Sequence, residues 1–226
     1  MTMRKVLLTI LSVVALDQIL KIWIKLNFLY GENVELIPGW LDLQFVENPG
    51  MAFGWMFPGT SGKLALSIFR IIVVTAIIIY IYKLTKKKTH QGYLFFLALI
   101  VAGALGNIID SAVYGMCFDK GSTFDPHFQD YIAYSDIAVV SSKGYAPFLM
   151  GNVVDMIHIT KEFDFPTWSP IHAGERAEIF PPIFNVADAS ISVGIVLILL
   201  FQRRFFKEED EEVVVEEAVT EVNPSE

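Results

Sequence analysis

Three asparagine–aspartate pairs recur at one spacing: Asn107-Ile-Ile-Asp110, Asn152-Val-Val-Asp155 and Asn185-Val-Ala-Asp188. On a helix, positions i and i+3 share a face, so an amide at the first stands beside a carboxylate at the second. One such pair is an ordinary turn or cap. Three, each placed where an apolar stretch meets a polar one, point to a shared polar site. Two carboxylates brought together in a partly dry site do not both ionise; they hold one proton between them and titrate as a unit. One then takes a proton from water while the other protonates or hydrogen-bonds a scissile carbonyl. That chemistry hydrolyses an amide with no metal, no cofactor and no covalent intermediate.

Other chemistries fit the chain less well. His90, His127, His158 and His172 are scattered and no H-E-x-x-H occurs, which argues against zinc. Cys117 is the single cysteine, which excludes an internal disulfide and a Cys-rich metal site. Gly59-Thr60-Ser61-Gly62 resembles the G-x-S-G of intramembrane serine proteases, but it stands in a turn-forming context with no histidine in a later span. Ser12 is nine residues from Lys21 and at a different depth, so a Ser–Lys dyad is not formed. The D-[ST]-G signature of soluble aspartic proteases is absent.

The elements that must carry the acids lie in a membrane. The 226 residues are 54% hydrophobic with a mean hydropathy of +0.49, beyond a typical soluble domain. Four segments have the roughly 20 apolar residues needed to cross a bilayer: Val6–Lys25, Leu64–Tyr82, Gly92–Val113 and Phe184–Arg204. Asp17 and Lys21 interrupt the first, and no small-residue cleavage site follows it, so it reads as a retained helix and not a signal peptide. Basic clusters at Arg4–Lys5, Lys83–Lys88 and Arg203–Lys207 fall on one side only if the chain crosses four times with both termini in the cytoplasm. Residues 27–63 and 114–183 are then outer loops. WLDLQFVEN alternates by two and VVDMIHI is strand-like, so short strands are expected there. The fold class expected is an all-α membrane protein of four transmembrane helices with a small β-containing outer region. Residues 1–207 form the membrane domain. Residues 208–226 carry nine acids and no base and read as a disordered cytoplasmic tail. Without that tail the chain is nearly neutral, and no basic face interleaved with aromatics suggests nucleic acid.

A charge deep in a bilayer costs at least about 2.5–3.5 kcal/mol, so residues placed there need partners or a purpose. Asp17 and Lys21, four apart on one helix face, can pair. Intramembrane carboxylates with a lysine also mark ion paths, so a small ion- or proton-coupled transporter is the alternative function. Transporter sites tend to lie at the midplane between repeated halves, whereas these acids gather at one end and no half-repeat is visible. A structural subunit with polar glue between helices is a weaker option.

Five pieces in order, DQILKIWIK, VENPGMAFG, GALGNIID, GNVVDMI and FNVADASISVG, resemble the lipoprotein signal peptidase (signal peptidase II) family of bacterial intramembrane aspartyl proteases. The resemblance implies an inner-membrane endopeptidase that acts on lipid-modified prolipoproteins, cutting before a cysteine that already carries diacylglycerol. It implies Asp155 and Asp188 as the catalytic pair, with Asn185 and Asn107 orienting substrate or water and Asp110 supporting the site. Asn48, Gly50, Ala52 and Phe53 would line the substrate path, and Asp17 with Lys21 would be the polar pair of the first span. A monomer with membrane lipid and substrate as partners is expected. Two features depart from the family. Ser111 stands after Asp110, where a basic residue is usual. Gly115–Met150 separates two motifs that compact members place close together, as a lid, a partner surface or a neutral extension.

Overall fold

The computed structural model describes residues 1–50, 59–87, 89–125, 127–128, 130–168 and 174–222, with the backbone alone at 59–60 and 206–222. Four helices are long and apolar enough to cross a membrane: α1 (Met3–Asn27), α2 (Gly59–Leu84), α3 (Gln91–Ile109) with its continuation, and α5 (Val186–Val222). Their spanning portions are 20 to 27 residues, roughly 30 Å or more at 1.5 Å per residue. α3 passes through a π-helical turn (Asp110–Tyr114) into a last short turn, α4 (Gly115–Cys117). The observed helices overrun the apolar segments at several ends, because flanking polar residues continue the helical hydrogen bonding. α5 also runs as helix to Val222, through the stretch expected to be disordered from Glu208. No glycine or proline lies between Gly194 and Pro224 to stop it.

The expectation of an all-α chain needs correction. The segments between α1 and α2 and between α3 and α5 build a four-stranded antiparallel sheet in the order β1 (Asn33–Ile37), β2 (Leu41–Asn48), β5 (Val153–Asp164) and β6 (Arg176–Phe184). A small hairpin of β3 (Thr123–Asp125) and β4 (Asp130–Ile132) stands apart from it. β2 alternates as its sequence suggests, turning Phe45 and Glu47 inward. β6, RAEIFPPIF, was not foreseen, because Pro181 and Pro182 argue against a strand. They are tolerated because β6 is an edge strand and its register against β5 is irregular between Phe180 and Phe184, so the ladder does not call on either proline for an N–H.

α3 is the axis of the bundle: half of its most apolar window is buried, against 22% or less for the other spans. Small residues make that possible. A Cβ on Gly103 would run into the Ala187 carbonyl oxygen and Ile191 of α5, and one on Gly106 would meet the Asp17 carboxylate of α1. One apolar cluster, including Val6, Ile10, Val74, Leu94, Val101 and Phe205, fills the bundle. A second, of Ile24, Phe28, Phe45, Tyr114, Phe118, Val154 and Met156, roots the sheet on the helices. Along α1 and the end of α3, the buried Asp17, Lys21, Asn107 and Asp110 fall in sequence between members of the two clusters.

Candidate active site

The site is assembled from one helix start, one strand and two helix flanks. Ile157 of β5 pairs with Phe184 of β6, which sets Asn185 beside Asp155 just as the chain turns into α5. Asn185 caps that helix. Its side-chain oxygen accepts from the Asp188 N–H at 2.9 Å, and the Asp188 carboxylate faces back toward the Asn185 N–H at 3.4 Å. This is the reciprocal arrangement of a capping box. The same amide's nitrogen donates to Asp155 Oδ1 at 2.6 Å, with the Val154 carbonyl at 3.3 Å and Asn107 Oδ1 at 3.2 Å also in reach. A single asparagine therefore joins the two acids.

Asn107 completes the bridge. Lys21 donates to its oxygen at 2.8 Å, which obliges its nitrogen to face the other way, and that nitrogen donates to Asp188 Oδ1 at 2.8 Å. Lys21 is fully buried and spends its three N–H groups on Asn107, Asp110 (2.8 Å) and Asp17 (3.0 Å). Asp17 in turn accepts from the Ala187 N–H at 2.9 Å, satisfying one of the open amides at the start of α5. Asp110 accepts from Gln18 at 2.8 Å and from the Val154 N–H at 3.2 Å, so it grips β5 one residue before Asp155. Gln18 was missed by the sequence reading. It is an uncharged residue in an apolar span, next to Asp17, and Tyr114 donates to its oxygen at 3.1 Å.

The two acids sit in different surroundings. Asp155 is 3% exposed, whereas Asp188 is only half-buried. Burial first, and then the charge of Asp188, hold the Asp155 carboxyl well above the ordinary aspartate range. Burial disfavours the ionised form, and a like charge nearby disfavours it further. The arrangement thus offers one carboxyl that keeps its proton beside a second, more accessible one.

Asn152 does not join this site. Its amide donates to Glu47 Oε2 at 2.8 Å and to Ser122, and its oxygen accepts from Lys63. Glu47 also binds Lys25 and accepts from Tyr134 at 3.0 Å and from the Ser122 N–H at 2.7 Å. The aromatic rings of Phe45, Phe118, Tyr134 and Tyr145 surround Lys25, with centroids 5.2–6.0 Å away. The 115–150 segment contributes Ser122, Tyr134 and Tyr145 to this knot, so it is tied to the strand that carries Asp155. Asn48 closes β2 opposite Val153 and accepts from the Gly50 N–H at 3.0 Å. Gly50 has φ +114°, a conformation other residues rarely adopt. Ala52 and Phe53 lie outside the described residues. The Ser111 hydroxyl turns back onto the Asn107 carbonyl at 3.0 Å and supplies no charge. Among the described residues, no group of three His, Cys, Asp or Glu side chains is placed to hold a metal ion.

With this geometry in hand, comparison with known proteins is decisive. The family model described as signal peptidase (SPase) II matches residues 9–204. The chain belongs to the signal peptidase II family. Lipoprotein signal peptidases of Porphyromonas gingivalis and Amoebophilus asiaticus are 40% identical over 195 residues and 34% identical over 194. These alignments cover 84% of this chain and 79% and 74% of the relatives. A solved bacterial membrane enzyme aligns with a TM-score of 0.55 and 26% identity, over 88% of this chain and 92% of its own. Membership of the signal peptidase II family makes the chain a protease with membrane-spanning helices, and the transporter alternative finds no support.

Proposed function

We propose that this chain is an aspartyl endopeptidase of the bacterial inner membrane that removes signal peptides from diacylglyceryl-modified prolipoproteins, cutting before the lipidated cysteine, with Asp155 and Asp188 as its acid pair. The substrate class follows from the family and from relatives that carry the name lipoprotein signal peptidase. The observation that carries the catalytic assignment is the Asn185 bridge, whose nitrogen binds Asp155 and whose oxygen fixes the turn holding Asp188.

In this mechanism Asp155 begins protonated. Its Oδ1 is occupied by the Asn185 amide, which leaves Oδ2 to carry the proton. Asp188 begins ionised and takes a proton from water as the water oxygen bonds to the scissile carbonyl carbon. Asp155 passes its proton to the carbonyl oxygen, giving a neutral gem-diol. The C–N bond then breaks, Asp188 delivers its proton to the leaving amine, and Asp155 recovers one from the gem-diol. Both acids return to their starting states. Asn48, Gly50, Ala52 and Phe53 line the substrate path, Asn107 holds Asp188 in aim, and Asp110 with Lys21 fixes the strand. Both termini face the cytoplasm, so the pair works at the outer leaflet, where the diacylglyceryl chains stay in lipid while the peptide reaches the acids.

The test is Asp155→Asn and Asp188→Asn, purified and assayed on a synthetic diacylglyceryl-modified precursor. Each is expected to lose roughly 10²–10⁴-fold in rate, the usual contribution of general acid–base catalysis. Near wild-type processing by either variant would overturn the assignment. The pH–rate profile of the wild type is expected to be bell-shaped, because one acid must be charged and the other neutral.

A further inference from the structure

α2 turns one face inward along its length. Lys63, Ser67, Arg70, Val74 and Ile81 follow at helical spacing, and all except the half-buried Arg70 are buried. The outer part of this face docks on the sheet lobe: Lys63 binds Asn152, and the Ser67 hydroxyl reaches the Leu149 carbonyl at 3.2 Å. The inner part, from Val74 onward, packs into the apolar bundle core. Arg70 stands at the junction, roughly 10 Å along the helix from Lys63, half-buried on the face that α2 turns inward. Among the described residues it has neither a hydrogen bond nor an ion pair. An arginine in a membrane span is expensive without a purpose.

The charges around it suggest the purpose. α1 brings Asp17 and Lys21, the turn after α3 brings Asp110, β5 brings Asp155 and α5 brings Asp188. Lys21 is bonded to Asp17 and Asp110 and has no N–H left for the acid pair. Lys63, on the same face of α2, is engaged by Asn152. Ser111 supplies no charge. Among the described residues Arg70 is the cation on an inward helix face with no bonded partner, and the carboxylates that act on it are Asp188 first, then Asp155 and Asp110. The Lys21 charge also reaches Asp155 but is shared with Asp17 and Asp110.

We propose that Arg70 is a positioning residue for the acid pair: from α2 it supplies the positive charge that keeps one of Asp155 and Asp188 ionised at working pH. This rests on the acid-pair reading above. An opposite charge nearby favours the ionised carboxylate, so its removal makes the proton harder to lose. The low-pH limb of the rate profile, where the working carboxylate appears, must then move to higher pH.

The experiment compares the pH dependence of kcat/KM and kcat for wild type, Arg70→Lys, Arg70→Gln and Arg70→Met on the synthetic lipid-modified precursor. Asp155→Asn and Asp188→Asn are run beside them. R70Q and R70M are expected to shift the low-pH limb upward by about one unit and to lose at least tenfold in kcat below it, while R70K keeps the wild-type limb. R70M guards against a folding failure of R70Q, because methionine makes a span easier to insert than arginine does. An unmoved limb in R70M, whatever its rate, overturns the proposal and assigns Arg70 to packing. So does an equal shift in R70K. If D155N or D188N stays active, the acid-pair reading falls and takes this proposal with it. If both are inactive and the limb is unmoved, only the role of Arg70 falls.

Discussion

Asn185 performs two tasks with one amide, and they can be separated. Its oxygen caps α5 while its nitrogen holds Asp155. Serine caps helices about as well as asparagine but has no second arm. Asn185→Ser is therefore expected to keep the cap, leave Asp155 Oδ1 without its donor, and lower the rate more than tenfold. Asn185→Ala should lose a further increment of about 1 kcal/mol in stability, the usual cost of an absent cap. Melting and activity measured on both variants check this: if N185S is fully active, the bridge is not needed. Asp155 offers a second prediction. Its raised carboxyl means the folded chain keeps a proton that the unfolded chain gives up. That contribution is fully present below the ordinary aspartate value, and it is lost as pH rises from there through the raised value. Asp155→Asn removes the effect and retains an oxygen for Asn185 to donate to. The variant is expected to melt above wild type at neutral pH, with the gap closing as pH falls. A melting temperature below wild type at neutral pH would count against Asp155 being held as a strained acid.

At the level of elements, hydropathy made the spans legible and could not distinguish the three N-x-x-D motifs. The first and third place their asparagines on helical backbone or at a helix start, where i and i+3 share a face, and both asparagines reach the acid pair. The second straddles the start of β5. Successive strand residues alternate sides, so i and i+3 point apart there. Asp155 consequently enters the site while Asn152 turns away to Glu47. The knot at Glu47 was equally hidden, because nothing local in the sequence connects Lys25, Glu47, Lys63, Ser122, Tyr134 and Asn152. It anchors β2, β5 and the 115–150 segment to α1, and it depends on a buried ion pair. Removing one partner of such a pair strands the other charge, at a cost of about 3–5 kcal/mol, whereas replacing both with apolar residues is often close to neutral. Lys25→Met and Glu47→Leu are each expected to lower thermal stability steeply, with the double variant recovering much of the loss. If the two losses simply add, the pair is not coupled as its geometry requires.

For the molecule as a whole, function depends on where the polar layer lies in the bilayer. Lipid-facing surfaces of α1, α2 and α5 present large apolar side chains, including Leu11, Ile19, Phe69, Ile72 and Leu200. The acids lie at the end of the bundle that carries the sheet, and the lysines between α2 and α3 lie at the other. On the proposed orientation, with the basic residues toward the cytoplasm, the sheet lobe is outside and the peptide would meet the acids where its lipid anchor emerges from the bilayer. The lone cysteine makes this testable. With Cys117→Ser as background, one new thiol is placed in the sheet lobe at the exposed Ser142 and another at the exposed Lys87, between α2 and α3. A membrane-impermeant maleimide applied to intact spheroplasts is expected to label S142C and to leave K87C untouched until the membrane is permeabilised. The reverse pattern would place the acid pair at the inner leaflet. Prolipoproteins whose lipid had entered from the outer face would then be unable to reach it, and the four-span orientation would have to be inverted.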